Sequence, residues 1–441
     1  MIRSLCIAAS AVLVAAFDGC SAAGGSAQAV PARPAVFESK TVPPIGTYIK
    51  HVVIVIQENR SLPNLFAGFP GADAPMTGKD VHGNAVPLVP VTYDARDITH
   101  SWSAAMTDWD NGKMDGFDTH KAYAYLRRDL VRPYWVMAQQ YVLADKMFAT
   151  EFGASFTAHL DLIASTTNLT PNVAEVNYPT GAWRCNAVPG TRSSLVTSRR
   201  VVKPAAGPFP CFDQFNTMAQ VLDSANVSWR YYSPIVKSGS ISWSAFDAIK
   251  YVWNGPDWNK DVYSPQTRFL SDAAANDLAA VTWVVPDNKD SDHAGIHSDT
   301  GPSWVAAIVN TIGQSKNWNS TAIVVLWDDW GGWYDNVPPP QKDFVGLGFR
   351  VPCLIISPYA KKGKVVHTQY EFGSVLKFVE QTFELPAIGP PSFGYTDTRA
   401  NSLVDSFNFA QPPRPFVKIP VKYSIAHFLA ETASGLEPDD I

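Results

Sequence analysis

Residues 52–56 and 323–326 are unbroken apolar runs rich in Val and Ile. Their length and β-branched content suit strands buried on both faces, as in a parallel sheet sandwiched between helices. Around them, similar short runs alternate with stretches of helical period. Strands are expected at 50–57, 227–232, 281–285, 322–327 and 351–356. Helices are expected at 101–109, at 121–141 with an interruption near Pro133, and at 155–166, 212–224, 273–279, 304–312 and 372–383. In the third of these, Phe156, Leu160 and Ile163 share one face. Strands alternating with helices predict an α/β fold with a mostly parallel central sheet, helices on both faces, and long loop insertions. Three stretches depart from the pattern. Residues 60–99, rich in Gly, Pro and Asp, read as a long functional loop, 170–212 as a loop-rich insertion, and 385–420 as surface wrapping. There is no internal repeat.

The residues at the ends of the runs carry the chemistry. Glu58 and Asn59 follow the first run, and Asp328 and Asp329 follow 322–327. Ligands of open α/β sheets bind just past the carboxyl ends of the strands, so these four residues are expected at one rim. Three carboxylates held a few ångströms apart push one another's pKa upward unless a cation sits among them. The pattern therefore predicts a metal site, and with it an enzyme. Adjacent side chains of an extended run point to opposite faces, so both aspartates reach one ion only if the backbone turns, which Gly331 and Gly332 permit. Ser155 follows Gly153 and opens an apolar helix. A plain N-cap is the ordinary role of serine there, yet beside a metal rim a helix N-terminus also suits a phosphate or an activated nucleophile. His100, His293 and His367 lie in polar contexts. Imidazole suits stabilisation of phosphoryl oxygens and protonation of a leaving group. Asp292, beside His293, is a candidate ligand for a second ion.

Composition narrows the partners. The 441 residues, 46% hydrophobic and 17% charged, suffice for one large core. A net charge of −5 and pI near 6.0 leave no basic footprint for nucleic acid. Residues 1–30 read as an export signal: Arg3 is basic, and the apolar stretch 5–17 is too short to span a bilayer. Cleavage after Ala27-Gln28-Ala29 gives a soluble periplasmic or secreted protein. Gly19-Cys20-Ser21 instead resembles the end of a lipoprotein box, with a lipid anchor at Cys20. No other segment reads as a membrane span. Residues 31–49 read as a linker and 50–441 as one domain. Of five cysteines, Cys185 and Cys211 are expected to pair in an oxidising compartment, stabilising the fold by roughly 3 kcal/mol. Cys353 reads as an inert core thiol.

Six strings in order add up to a family. They are Glu58-Asn59-Arg60-Ser61 continuing to Phe66, His100-Ser101-Trp102, Met114-Asp115-Gly116-Phe117, Asp292-His293, Trp327-Asp328-Asp329-Trp330-Gly331-Gly332-Trp333-Tyr334-Asp335, and 351–360. From about residue 50 to 409 the chain resembles the bacterial phosphoesterase family that holds non-haemolytic-type phospholipases C and a group of acid phosphatases. The resemblance implies an alkaline-phosphatase-like three-layer sandwich and metal-dependent hydrolysis of a phosphate ester or phospholipid. It implies metal ligands Glu58, Asn59, Ser155, Asp328 and Asp329, with Ser155 the nucleophile. His100 and His293 would contact the phosphate, with His367 a further candidate. Serine in Gly153-Ala154-Ser155 resembles the acid phosphatase branch, where phospholipases usually carry threonine. Leu62-Pro63-Asn64 replaces the frequent Phe-Asp-His, and Asn336 stands where a histidine is frequent. With mostly oxygen donors, a single hard cation such as Ca²⁺ or Mg²⁺ is favoured, with Zn²⁺, Mn²⁺ and a second ion left open. The rival reading from another class is an exported metal- or anion-binding protein without turnover. A sulfatase is disfavoured by the lack of a Cys-x-Pro-x-Arg string.

Overall fold

The computed structural model describes residues 43–117, 121–177, 184–236, 241–242 and 244–437. The export segment 1–30, the Cys20 anchor and the first part of the expected linker lie outside the described residues. Eight strands form the central sheet: β1 (His51–Gln57), β2 (Val142–Ala144), β3 (Trp229–Tyr232), β4 (Val262–Tyr263), β5 (Val281–Val284), β6 (Thr321–Trp327), β7 (Cys353–Ile356) and β8 (Lys364–Val366). Their order is β4-β3-β5-β1-β6-β7-β2-β8. All pairings are parallel except those of β7, which runs antiparallel to both neighbours. The sheet is mostly parallel, as expected.

Seven helices matter to the site: α1 (Trp102–Trp109), α2 (Arg132–Gln140), α3 (Ser155–Ala164), α4 (Met218–Ser224), α5 (Arg268–Ala274), α6 (Gly301–Gln314) and α7 (Phe372–Phe383). The last six cover both faces. Ile54 of β1 is in register with Trp283 of β5, whose indole donates to Leu162 O of α3 at 3.1 Å. Gln57, an odd number of residues from Ile54, points to the other face and bonds Tyr134 OH of α2 and Gly301 O of α6. Helix α3 packs with α4 and α7, and α6 with α2 and α5. Every residue of β6, and all of β1 except His51, is buried. Each buried Val or Ile there contributes roughly 1.5–3 kcal/mol over its exposed state, which keeps these two strands at the centre of the sheet.

Several expectations change. The stretch 121–141 holds a strand, Ala124–Leu126, and then α2, because Pro133 fits the first turn of a helix and not its interior. The expected helix 273–279 is α5, which starts and ends earlier. The insertion 170–212 is not only loop: Asn168–Thr170, Val173–Asn177, Ser194–Thr197 and Val202–Lys203 form a four-stranded sheet. The Cys185–Cys211 disulfide is present and closes part of it. Cys353 is buried and free. Among the described residues no helix is long and apolar enough to cross a membrane.

Candidate active site

Strands β1 and β6 are hydrogen-bonded neighbours, so their carboxyl ends deliver Glu58 and Asn59 beside Asp328 and Asp329. The Asp328 amide donates to Gln57 O at 3.0 Å, and the Asn59 amide donates to Asp328 Oδ1 at 2.8 Å. Asn59 has φ 58, in the left-handed region that asparagine enters more readily than most other non-glycine residues. Gly331 and Gly332 have φ 61 and 73 and turn the chain after the aspartates. A Cβ on Gly331 would stand 2.1 Å from Asn59 O, so only glycine fits. The turn brings the Gly331 amide onto Asp329 Oδ1 at 2.7 Å.

Ser155 enters from the N-terminus of α3. The N-cap is Ala154, without a side-chain cap, and Ser155 is the first helical residue. Its hydroxyl donates to Asp329 Oδ2 at 3.2 Å, so the ordinary capping role does not apply. Asn59 Nδ2 lies 3.3 Å from Ser155 Oγ, 3.5 Å from Asp329 Oδ2 and 2.8 Å from His100 Nε2. His100 Nδ1 donates to Ile98 O at 2.7 Å. A neutral imidazole then has Nε2 as its acceptor, so His100 orients the Asn59 amide. His293 Nδ1 donates to Ala294 O at 2.7 Å, and its Nε2 has no hydrogen-bond partner among the described residues. The two imidazole rings are 5.9 Å apart. Burial lowers the His293 pKa.

One residue that the motifs did not single out joins the cluster. His159 follows Ser155 at the i+4 spacing that puts two side chains on one helix face. That spacing is the sequence signal that would have found it. Its Nε2 is 3.1 Å from Glu58 Oε1 and 4.0 Å from Asp328 Oδ2, and donor atoms of the three residues lie within 4.8 Å of one another. Burial lowers the His159 pKa to about 4, so the ring is neutral at pH 7. Burial, then the Asp328 charge, holds the Asp329 carboxyl well above the usual range. Asp328 Oδ2 and Asn59 Oδ1 are buried without a hydrogen-bond partner among the described residues. Such atoms cost free energy unless something binds them, and a divalent cation fits carboxylate, carboxamide and imidazole donors.

Asp292 and His367 do not join the cluster. Asp292 Oδ1 accepts from Tyr93 OH at 2.9 Å and Oδ2 from Tyr134 OH at 2.6 Å. With both oxygens taken it anchors the loop carrying His293, and burial pushes its carboxyl up to about 6. Arg60 supports the same loop, donating to Asp292 O at 2.7 Å between the rings of Tyr93 and Trp333. His367 Nδ1 lies 2.9 Å from both oxygens of Asp145, with its side chain 55% exposed. Arg350 binds Asp145 O and grips Asp335, and Asn336 lies between Arg350 and Asp73. Asn336 thus bridges Arg350 and Asp73 by hydrogen bonds. A cavity of about 750 Å³ opens at the opposite rim, beside Trp229 and Ala279 at the amino ends of β3 and β5, remote from this chemistry.

The profile of the Phosphoesterase family matches residues 49–386, which include every candidate site residue above. Phospholipase C B of Mycobacterium tuberculosis is 26% identical, spanning 84% of this chain and 79% of that protein. Non-hemolytic phospholipase C of Pseudomonas aeruginosa is 25% identical, spanning 84% of this chain and 59% of that protein. Among solved structures, a protein of the alkaline phosphatase superfamily from Vibrio parahaemolyticus overlaps with a TM-score of 0.39 at 11% identity, over 81% of this chain and 72% of that one. With 338 consecutive positions (49 through 386) inside the family profile, the chain belongs to the Phosphoesterase family and is a hydrolase of phosphoric ester bonds.

Proposed function

We propose that this chain is an exported, acid-phosphatase-type phosphomonoesterase that works through a phosphoserine at Ser155. The observation that carries the proposal is the Ser155 hydroxyl, first in its helix, donating to Asp329 Oδ2 at 3.2 Å beside the Asn59 amide. A divalent cation held by Glu58, Asp328 and their neighbours would supply fixed positive charge that lowers the hydroxyl pKa and keeps the carboxylates ionised. The Ser155 proton passes to Asp329 as Oγ bonds to phosphorus and the bond to the leaving oxygen breaks in line. Asn59 Nδ2 and the positive end of α3 offset charge on the non-bridging oxygens. The phosphate dianion raises the pKa of the adjacent His293, so Nε2 carries a proton for the leaving alkoxide. Water then attacks the phosphoserine, giving its proton to His293, and Ser155 regains its own from Asp329.

Two features support a small monoester: serine at position 155, and the depth of the site, with Ser155, His293 and His100 at 0%, 1% and 2% exposure. The relatives, which are phospholipases C, favour a second reading, hydrolysis of phosphodiester lipids. Export is supported by the Cys185–Cys211 disulfide, because disulfides persist in oxidising compartments. The test compares kcat/KM for p-nitrophenyl phosphate, bis(p-nitrophenyl) phosphate and phosphatidylcholine vesicles across pH, with Ca²⁺, Mg²⁺, Mn²⁺ or Zn²⁺ supplied. The monoester is expected to lead by at least about tenfold, the discrimination a fitted pocket ordinarily achieves. A lead for phosphatidylcholine establishes the phospholipase reading instead. Cleavage of none of the three overturns the phosphomonoesterase reading.

A further inference from the structure

The donors at the rim fall into two groups. Asn59, Ser155, Asp329 and His100 are tied together around the Ser155 hydroxyl. Glu58, Asp328 and His159 converge behind them, all fully buried. We propose that His159 Nε2 is a direct ligand of the cation, making a mixed nitrogen and oxygen site that favours Mn²⁺, Fe²⁺, Co²⁺ or Zn²⁺ over Ca²⁺ and Mg²⁺. The proposal rests on the phosphoesterase reading only for the presence of a cation.

The spacings from His159 suit one ion. Two donors each about 2.1 Å from a metal stand roughly 3.0 Å apart at a right angle and roughly 4.2 Å apart when opposed. The 3.1 Å from His159 Nε2 to Glu58 Oε1 and 4.0 Å to Asp328 Oδ2 fall within that range. Asp328 Oδ2, buried with no hydrogen-bond partner among the described residues, is a second group awaiting the same ion. Helix α3 then binds twice to one centre, with the nucleophile at its first residue and a ligand one turn later, so cation binding fixes the angle at which Ser155 is presented. Imidazole suits transition metals, whereas carboxylate and carbonyl oxygens alone suit Ca²⁺ and Mg²⁺. The competing arrangement is a His159 ring that merely donates Nε2–H to Glu58.

Pulsed EPR of the full-length protein, labelled with ¹⁵N-histidine, stripped of metal and reloaded with one equivalent of Mn²⁺, distinguishes the two. Direct coordination predicts ¹⁵N modulation in the wild type that disappears in His159→Gln and survives in the double variant His100→Gln/His293→Gln. The Zn²⁺ preference over Ca²⁺, read by competition, should fall by at least about tenfold in His159→Gln, as expected when a metal-site residue is lost. Should the Gln variant fail to fold, His159→Asn takes its place in the same comparison, because seven of the nine histidines remain in the double variant and its signal alone does not single out His159. Absence of ¹⁵N modulation in the wild type, its persistence in a folded His159→Gln, or failure to take up Mn²⁺ overturns the proposal. Bound Mn²⁺ without nitrogen coupling in an enzyme that still hydrolyses phosphate esters rejects only the ligand. Nitrogen coupling without turnover rejects only the proposed function.

Discussion

Ser155→Ala is expected to lower kcat for p-nitrophenyl phosphate by at least about a thousandfold while leaving the folded state in place, as for loss of a nucleophile that nothing else can replace. The Oγ atom makes its hydrogen bonds to Asp329 and Asn59, and losing one such bond costs about 1 kcal/mol. Asp329 retains the Gly331 amide on its other oxygen. Thermal melting and cation uptake should therefore stay near wild type while turnover collapses. Ser155→Thr keeps a hydroxyl at the same position and should recover part of the rate. If the alanine variant retains rates near those of the wild type, Ser155 is a helix-opening residue only, and the catalytic assignment fails with it.

Asp328→Asn should lower cation affinity by more than about a hundredfold, since even residues behind the ligands commonly cost 10- to 100-fold. The substitution is chosen for what it preserves. An asparagine Oδ1 can still accept the Asn59 amide that now bonds Asp328 Oδ1 at 2.8 Å, so the contact between the two strand ends survives and mainly the charge is removed. Asp328 is also the largest cause, after burial, of the raised Asp329 pKa, so the Asp329 carboxyl should titrate lower in the variant. Calorimetric metal titration and kcat/KM measured over a range of metal concentrations should fall together, and excess cation should restore part of the activity. Full activity in protein stripped of metal by prolonged chelation would remove the cation from the account.

Much of this site could be read from the chain because its parts lie at the ends of elements with strong patterns. The apolar runs of β1 and β6 admit few conformations, and strand-end logic then brings Glu58 and Asn59 to Asp328 and Asp329 without knowledge of the residues between. The paired turn was legible because Gly331-Gly332 directly follows two carboxylates. What was not legible has physical reasons. Strands β2 and β8 have three residues each, too few for an alternation to show. The antiparallel direction of β7 leaves no mark on a wholly apolar strand. The four short strands of the insertion hold two to five residues each between turns, so composition reads them as loop. His159 is hidden by its surroundings, since a histidine inside an apolar helix is ordinarily a packing residue. Asp292 and His367 looked available because their partners, Tyr93, Tyr134 and Asp145, are distant in sequence.

In the proposed mechanism Ser155 carries the phosphoryl group between two chemical steps. Rapid acid quench of the enzyme during turnover, followed by peptide mass spectrometry, reads this directly. Phosphate is expected on the peptide containing Ser155, appearing before steady state and absent from Ser155→Ala. Rapid turnover with no phosphorylated residue at any quench time, or phosphate on a different side chain, would contradict it.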